Sequence, residues 1–234
     1  MDRGEGMFRF LKMTDPFFCH PWLTYDRRIR SLLTPQAVWV DAGCGENGLV
    51  RAHGHFAKKA VGVDRKPSPG SPGNFVKADL EDLPFRSACA DLVTLGFVAE
   101  HLSDMRQALG EISRVLKDGG RALILTTNSR SPLVFLPRTL LPFRLKRRIL
   151  AKYWQTSPES VFPTPLRVMG PRTFLAGGKD LRLERLGYFS DINRRQTWIF
   201  AGQLLWHLLT QPKPLQQFRT TMLITLVKNP PGEA

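Results

Sequence analysis

Cysteine is scarce in this sequence, and its three cysteines are poorly placed for a disulfide framework or a metal centre. Cys19, Cys44 and Cys89 are odd in number, lie far apart and form neither a CxxC pair nor a His–Cys ligand spacing. This usage favours a reducing cytosol over a disulfide scaffold. We therefore expect no metal site.

Long apolar runs are also missing. A membrane-spanning helix needs roughly 18 or more apolar residues, and the longest candidate, residues 196–210, is too short and contains Gln203 and His207. Near the N-terminus, charged residues such as Arg9 and then Pro16 interrupt the chain before an apolar run reaches signal-peptide length. The expected location is cytoplasmic, with or without peripheral attachment to a membrane.

Acidic residues are rare in the second half of the chain. Residues 1–128 contain 17 Lys+Arg against 15 Asp+Glu, whereas residues 129–234 contain 17 against 5. Most of the formal net charge of +14 therefore lies in the second half. This asymmetry suggests an anionic partner such as a membrane surface, a nucleic acid or an acidic substrate, although a merely solvated basic surface fits as well.

Short apolar runs alternate with a helical pattern over residues 36–128. The pattern predicts a helix over residues 103–116, with Gly119 and Gly120 as its C-terminal stops. Alternation at this spacing predicts a parallel sheet with helices on both faces. The predicted strands are residues 37–40, 60–63, 74–78, 91–97 and 121–127.

The later sequence predicts further elements that close the sheet. Residues 171–176 and 193–209 have helical character, and residues 181–188 and 221–228 resemble strands. Between the strands of the first half and these elements, residues 131–154 combine prolines, large apolar side chains and a basic cluster.

The sharpest single motif is VWVDAGCGENG, in which a strand leads into a glycine-rich turn. Gly43 and Gly45 allow a tight turn and close approach of a ligand to the backbone N–H groups. Asp64 ends the next strand, where its carboxylate can accept hydrogen bonds from both hydroxyls of a ribose. These features fit either an adenosyl cofactor or NAD, so the choice stays open at this point.

An ordered series of motifs distinguishes the two cofactors. VWVDAGCGENG, AVGVD, ADLEDLPF, ADLVTLGFVAEHL and VLKDGGRALIL follow one another over roughly residues 36–128. In this order they resemble the class I S-adenosylmethionine-dependent methyltransferases, especially the quinone-type and small-molecule branch. The resemblance implies a Rossmann-like, doubly wound α/β fold with a mostly parallel sheet, an antiparallel last strand and helical insertions in the C-terminal half.

The resemblance also implies roles for particular residues toward S-adenosylmethionine. It places Asp41, Gly43 and Gly45 beside the methionine and sugar, and Asp64 on the ribose. Asn47 stands where this family often has a third glycine, and asparagine tolerates the left-handed conformation. The remaining cofactor residues implied by the resemblance are Asp79 at the adenine amino group, Leu80 on the adenine ring, and Gly96 and Phe97 beside the methionine.

Methyl transfer is an in-line displacement that depends mainly on positioning and on exclusion of water, so it needs no nucleophilic residue of the protein. If the acceptor is a hydroxyl, a general base helps, and His101 is the best-placed candidate. An equally good interpretation is that Glu100 and His101 only position the loop. His20, Tyr25 and His207 are more speculative pocket residues.

We expect two parts in the chain. Residues 1–35 are predicted to form an N-terminal cap, and residues 36–234 a methyltransferase domain with substrate or interface insertions at about 129–170 and 190–215. The apolar and basic segments of these insertions favour a lipid interface, with ordinary packing over the active site as the alternative. The expected activity is methylation of a small or amphipathic metabolite such as a lipid, quinone or sugar conjugate. An RNA methyltransferase, a noncatalytic binding module and an NAD oxidoreductase are the rival functions.

Overall fold

The computed structural model describes residues 3–66, 74–142, 144–145, 148, 170–175, 180–193 and 196–230. Residues 67–73, part of the basic segment at 131–154 (residues 143, 146–147 and 149–154), and Arg194 and Arg195 lie outside the described residues.

One mixed sheet forms the centre of the described chain, in the order β3-β2-β1-β4-β5-β7-β6. Strands β1 to β5 pair in parallel, and β7 lies antiparallel between β5 and β6. This confirms the predicted mostly parallel sheet with an antiparallel last strand. The strands are β1 (Val38–Ala42), β2 (Lys59–Asp64), β3 (Phe75–Lys77), β4 (Ala90–Gly96), β5 (Leu116–Thr127), β6 (Leu181–Phe189) and β7 (Thr221–Lys228).

Helices cover both faces of this sheet. Alternate residues of β5 point to opposite faces, so Leu123 packs in the cluster of α2 and Ile124 in the cluster of α4. The sheet is therefore buried on both sides, as a doubly wound fold requires. The helices described are α1 (Arg3–Thr14), α2 (Pro21–Leu32), α3 (Gly48–His53), α4 (Met105–Val115), α5 (Pro132–Leu140), α6 (Pro171–Leu175) and α7 (Thr197–Leu209).

The predicted helix over residues 103–116 is confirmed, but the predicted stop at Gly119 and Gly120 is wrong. Asp104 caps the helix by accepting hydrogen bonds from the N–H groups of residues 106 and 107, and the helix ends at Val115. The two glycines lie inside β5, where Gly119 has a φ of 74°. A Cβ on Gly120 would lie 2.8 Å from the carbonyl oxygen of Lys117, so these glycines shape a turn within the strand.

The late helix begins later than predicted. Asn193 is not helical, and its backbone N–H donates to the Gln203 side-chain oxygen at 2.6 Å. Helix α7 starts at Thr197 instead of residue 193 and ends at Leu209 as expected.

Three side chains, Asp15, His207 and Ser190, form a hydrogen-bonded chain that attaches the N-terminal segment to α7. His207 Nε2 lies 2.9 Å from a carboxylate oxygen of Asp15, and His207 Nδ1 lies 2.9 Å from the Ser190 hydroxyl. Leu11 and Phe18 pack beside this chain in one apolar cluster with α7. Burial lowers the pKa of His207 despite the opposing carboxylate of Asp15. The imidazole is therefore neutral in the fold, with Nε2–H donating to Asp15 and Ser190 donating to Nδ1.

This arrangement predicts an acid-sensitive attachment. An unfolded histidine titrates at about pH 6.5, so protonation below that pH favours the unfolded chain until the lower folded pKa is passed. Relative to His207→Gln, we expect the free energy of unfolding of the wild-type protein to fall as the pH is lowered from 7.5 to 5.5. Denaturant titrations at several pH values measure it, with the exposed His55→Gln as control. Equal slopes in His207→Gln and the wild-type protein would contradict the assignment.

Candidate functional site

The glycine-rich turn lies at the carboxyl edge of the sheet and is bound to the end of β2. The N–H groups of Gly43 and Cys44 donate to the Val63 carbonyl at 2.7 and 3.0 Å. Gly43, Gly45 and Asn47 have φ angles of 76°, 52° and 58°, which confirms the left-handed conformation expected for Asn47. A side chain on Gly43 would collide with Val98, so the turn requires glycine there.

The carboxylate of Asp64 closes β2 directly beneath this turn. It accepts hydrogen bonds from the N–H of Gly45 at 3.0 Å and from the N–H of Lys66 at 3.1 Å. Two backbone donors fix the orientation of the carboxylate, and its remaining lone pairs can accept further donors.

Asp79 lies beside Asp64, just past β3. The N–H of Ala78 donates to the Asp64 carbonyl at 3.1 Å, which fixes the next residue at the same edge of the sheet. Burial opposes ionisation of Asp79, but the N–H of Glu81 and the Arg65 guanidinium, 3.0 Å away, more than offset it, so the pKa of Asp79 lies below its ordinary value. Leu80 follows and is buried in the core.

Asp41 is the most deeply buried carboxylate of this edge, only 3% exposed. Thr94 on β4 donates to it at 2.7 Å, and the Trp39 indole N–H donates to the Thr94 hydroxyl at 2.8 Å. Burial raises the pKa of Asp41 to about 6, and the charge of Asp64 adds to that shift while the Thr94 hydroxyl opposes it. Burial in the folded protein therefore disfavours the ionised form of the Asp41 carboxylate.

An aromatic wall from the N-terminal segment lies over the end of β4. The Trp22 and Phe97 rings stack with centroids 6.2 Å apart, and Phe97 itself has a φ of 57°. A Cβ on Gly96 would lie 3.1 Å from Trp22 and 3.3 Å from Tyr25, so glycine permits this close approach of α2. Trp22 remains 40% exposed. It borders the surface between the glycine turn, the ends of β2 and β4 and the Trp22–Phe97 pair, which we call the cleft.

Glu100 and His101 lie on a short helical turn immediately after this wall. Glu100 is 4% exposed and accepts a hydrogen bond from the Thr126 hydroxyl at 2.9 Å. Burial raises the pKa of Glu100, whereas Thr126 and the neighbouring His101 lower it. His101 is half-buried at the same edge of the sheet as the glycine turn.

The structure thus brings most of the proposed residues to one edge. Gly43 and Gly45 contact the ends of β2 and β4, Asp79 is tied to β2 through Arg65, and Gly96 and Phe97 end the strand beside β1. The speculative pocket residues do not join them as a group. Tyr25 is fully buried beneath the cleft, where Asp41 is one cause of its raised pKa. His20 caps α2, and His207 belongs to the Asp15 chain.

Sequence reasoning missed four residues that shape the cleft: Trp22, Arg65, Thr94 and Val98. Arg65 is adjacent to Asp64 in the sequence, so its position at the cleft was accessible to that reasoning. Thr94 carries a hydroxyl group in an apolar strand. Such a residue indicates that a buried polar partner exists but not which residue it is. The contacts of Trp22 and Val98 arise from tertiary packing and have no local signal.

The raised pKa of Asp41 predicts a pH-dependent loss of stability. Its raised folded pKa means that its contribution to stability is present below pH 4 and lost as the pH rises through about 6. Between pH 4.5 and 7.5, Asp41→Asn should gain about 2 kcal/mol in unfolding free energy relative to the wild-type protein. Denaturant titrations of the ligand-free protein measure this, with the exposed Asp118→Asn as control. A constant difference across that pH range would refute the raised pKa.

Comparison with protein families identifies the glycine turn and the strands that follow it. Residues 40–124 match the family described as "Methyltransferase domain". A ubiquinone/menaquinone biosynthesis C-methyltransferase of Idiomarina loihiensis is 40% identical over 82 residues, covering 34% of this chain and 33% of that protein. The corresponding protein of Ectopseudomonas mendocina is 45% identical over 67 residues, covering 28% and 26%. The matched region spans about a third of these relatives or less.

Solved structures resemble the chain over most of its length. The YcgJ protein of Bacillus subtilis superposes with a TM-score of 0.55 at 18% identity, covering 88% of this chain and 98% of that one. The geranyl diphosphate C-methyltransferase of Streptomyces coelicolor gives 0.53 at 18%, covering 88% and 77%. At such identity the likeness shows the fold. The chain therefore shares the fold of these structures, and its residues 40–124 match a methyltransferase domain.

Proposed function

We propose that the protein transfers a methyl group from S-adenosylmethionine to a small or amphipathic acceptor. The observation that carries the proposal is the hydrogen bond from the Gly45 N–H to Asp64, beside Asp79. It combines a glycine turn that admits a ligand with two carboxylates on neighbouring strand ends. That donor and acceptor set fits an adenosyl group with its ribose and adenine amino donors.

The individual roles follow from the positions of these side chains. Asp64 would accept the ribose hydroxyls, and Asp79 the adenine amino group, with Leu80 packing against the ring. Gly43 and Gly45 would present backbone to the methionine and sugar, near Asp41. Gly96 and Phe97 would border the methionine at the end of β4.

S-Adenosylmethionine supplies an electrophilic methyl group on a sulfonium sulfur. The residues of the chain bind, align and shield it, and alignment with exclusion of water is worth roughly 7–11 kcal/mol of the barrier. The Trp22–Phe97 wall would keep water from the reacting groups, and residues 1–35 would act as the cap that carries part of this wall. His101 would remove a proton from the acceptor if the acceptor is a hydroxyl.

The acceptor that we favour is an apolar or amphipathic metabolite such as a quinone, a lipid or a sugar conjugate. The stacked rings of Trp22 and Phe97 offer an apolar surface at the entrance of the cleft. Relatives of the matched region are named for quinone biosynthesis, and a structural neighbour is named for geranyl diphosphate. An apolar wall of this kind would accommodate the hydrocarbon part of an acceptor.

An exposed apolar stripe on α7 supports action at an anionic membrane surface. Trp198, Leu205 and Leu209 follow the helical repeat along one side and are 64%, 60% and 55% exposed. Phe17, just after α1, is 93% exposed. The excess positive charge of residues 129–234 complements anionic headgroups. Among the described residues, no helix is both long and apolar enough to cross a bilayer.

Cofactor choice is tested by calorimetric titration with S-adenosylhomocysteine and NAD side by side. We expect binding of S-adenosylhomocysteine only, and a loss of about tenfold or more in Asp64→Ala because charge-assisted hydrogen bonds to the ribose disappear. Asp118→Ala, which removes an exposed carboxylate elsewhere, should bind normally. Binding of NAD in preference would overturn the assignment.

The activity is tested by radiolabelled methyl transfer into host extract separated into organic, aqueous small-molecule and RNA fractions. We expect label in the organic fraction, and about tenfold less or lower still with Asp64→Ala at limiting cofactor. Label confined to RNA would support an RNA methyltransferase instead. Tight cofactor binding without transfer into any fraction would support a noncatalytic module.

The interface is tested by flotation with vesicles of phosphatidylcholine with and without phosphatidylglycerol. We expect binding at low salt that requires the anionic lipid and weakens at high salt. Replacing Trp198 and Leu205 together by alanine should reduce it, because both side chains are exposed and contribute apolar contact to the bilayer. Leu23→Ala, on α2, serves as control. Absence of binding at low salt would remove the membrane from the proposal.

A further inference from the structure

A cavity lies between helix α2 and strands β6 and β7. Its volume is about 340 Å³, within the range of pockets that hold small organic ligands. Its walls come from residues 24–31, residues 185–189 and two residues of β7. None of these residues belongs to the set assigned to the cofactor cleft.

Three arginines line this cavity, and no carboxylate among the residues that the structure describes does so. Arg27 and Arg28 come from α2, and Arg185 comes from β6. Arg28 approaches Glu184 at 3.7 Å, but that carboxylate already accepts three hydrogen bonds of 2.7 to 3.1 Å from Arg121. The charged side chains that line the cavity are therefore all positive.

The arginines have unused capacity to donate hydrogen bonds. Arg28 Nε is buried without a hydrogen-bond partner in the described part of the chain. Arg27 and Arg185 are exposed, and neither forms an ion pair with another described residue. The exposed guanidinium groups of Arg27 and Arg185 can therefore donate to an oxyanion in the cavity.

The floor of the same cavity is apolar. Leu186, Phe189 and Leu223 line it. A Cβ on Gly187 would lie 2.7 Å from the Phe189 ring, so the glycine is what lets this ring lie over the strand. A ligand that fits both surfaces carries an anionic group joined to a hydrocarbon.

We propose that this cavity binds the phosphate group of a phosphorylated amphiphile. Guanidinium groups match phosphate oxygens in charge and geometry and bind them through paired N–H donors. The hydrocarbon next to the phosphate packs on the apolar floor formed by Phe189 and its neighbours. This site is independent of the methyl-transfer cleft, and its ligand can be a lipid headgroup or a soluble phosphate ester.

The test is calorimetric titration of the full chain with octyl phosphate, inorganic phosphate and octanol. We expect octyl phosphate to bind with one site per chain. The double variant Arg27→Gln/Arg185→Gln should weaken it by about tenfold or more. The matched double variant Arg86→Gln/Arg182→Gln removes two exposed arginines that do not line the cavity, and should bind normally.

The arms of the experiment separate an amphiphile from phosphate alone. Weaker binding of inorganic phosphate than of octyl phosphate supports the proposal, and equal binding of both overturns it, because the apolar floor then contributes nothing. No binding of either phosphate, equal binding of octanol, or equal loss in both double variants overturns the proposal. S-Adenosylhomocysteine binding should be unchanged in the cavity variant, so its outcome is distinguishable from failure of the cofactor site.

Discussion

The hydrogen bond between the Gly45 backbone N–H and Asp64 is the interaction on which the rest of the site depends. It joins the turn after β1 to the end of β2, and the same strand end positions Asp79 through the Ala78 N–H and Arg65. Parallel strands make this possible, because their carboxyl ends meet at one edge of the sheet. The glycines are required by the geometry: Gly43 faces Val98 too closely for any side chain.

Burying polar side chains at this edge is unfavourable for folding. Hydrogen bonds from neighbouring side chains offset part of that cost. Asp41 lies in the core with a raised pKa, and its one described hydrogen bond comes from Thr94, which in turn accepts from Trp39. Such a buried chain fixes the rotamers of its members, because an unsatisfied member is costly. The fold therefore holds the carboxylate in place before any ligand arrives, which is the preorganisation that a positioning catalyst needs.

The sequence predicted the central sheet well because buried parallel strands leave uninterrupted apolar runs that end in polar turns. β1, β2, β4 and β7 lie within two residues of their predicted bounds. The errors have physical causes. Gly119 was interpreted as a helix stop, whereas its left-handed conformation shapes a turn inside β5. The start of α7 was placed too early, since the helix begins at Thr197, and helix boundaries carry little signal in the sequence.

Tertiary contacts explain what sequence reasoning could not reach at the site. Cross-strand register decides that Thr94 lies beside Asp41, and register is not encoded locally. Trp22 reaches Gly96 from a helix more than seventy residues earlier in the chain. The arginine-lined cavity likewise unites α2 with β6, whose sequences show only scattered basic residues.

The most direct measurement of the central claim is a crystal structure of the protein with S-adenosylhomocysteine bound. The account predicts both ribose hydroxyls within hydrogen-bond distance of the Asp64 carboxylate, and the adenine between Asp79 and Leu80, with the homocysteine over Gly43. A ligand bound elsewhere, or a ribose that leaves Asp64 bonded only to backbone N–H groups, would contradict it.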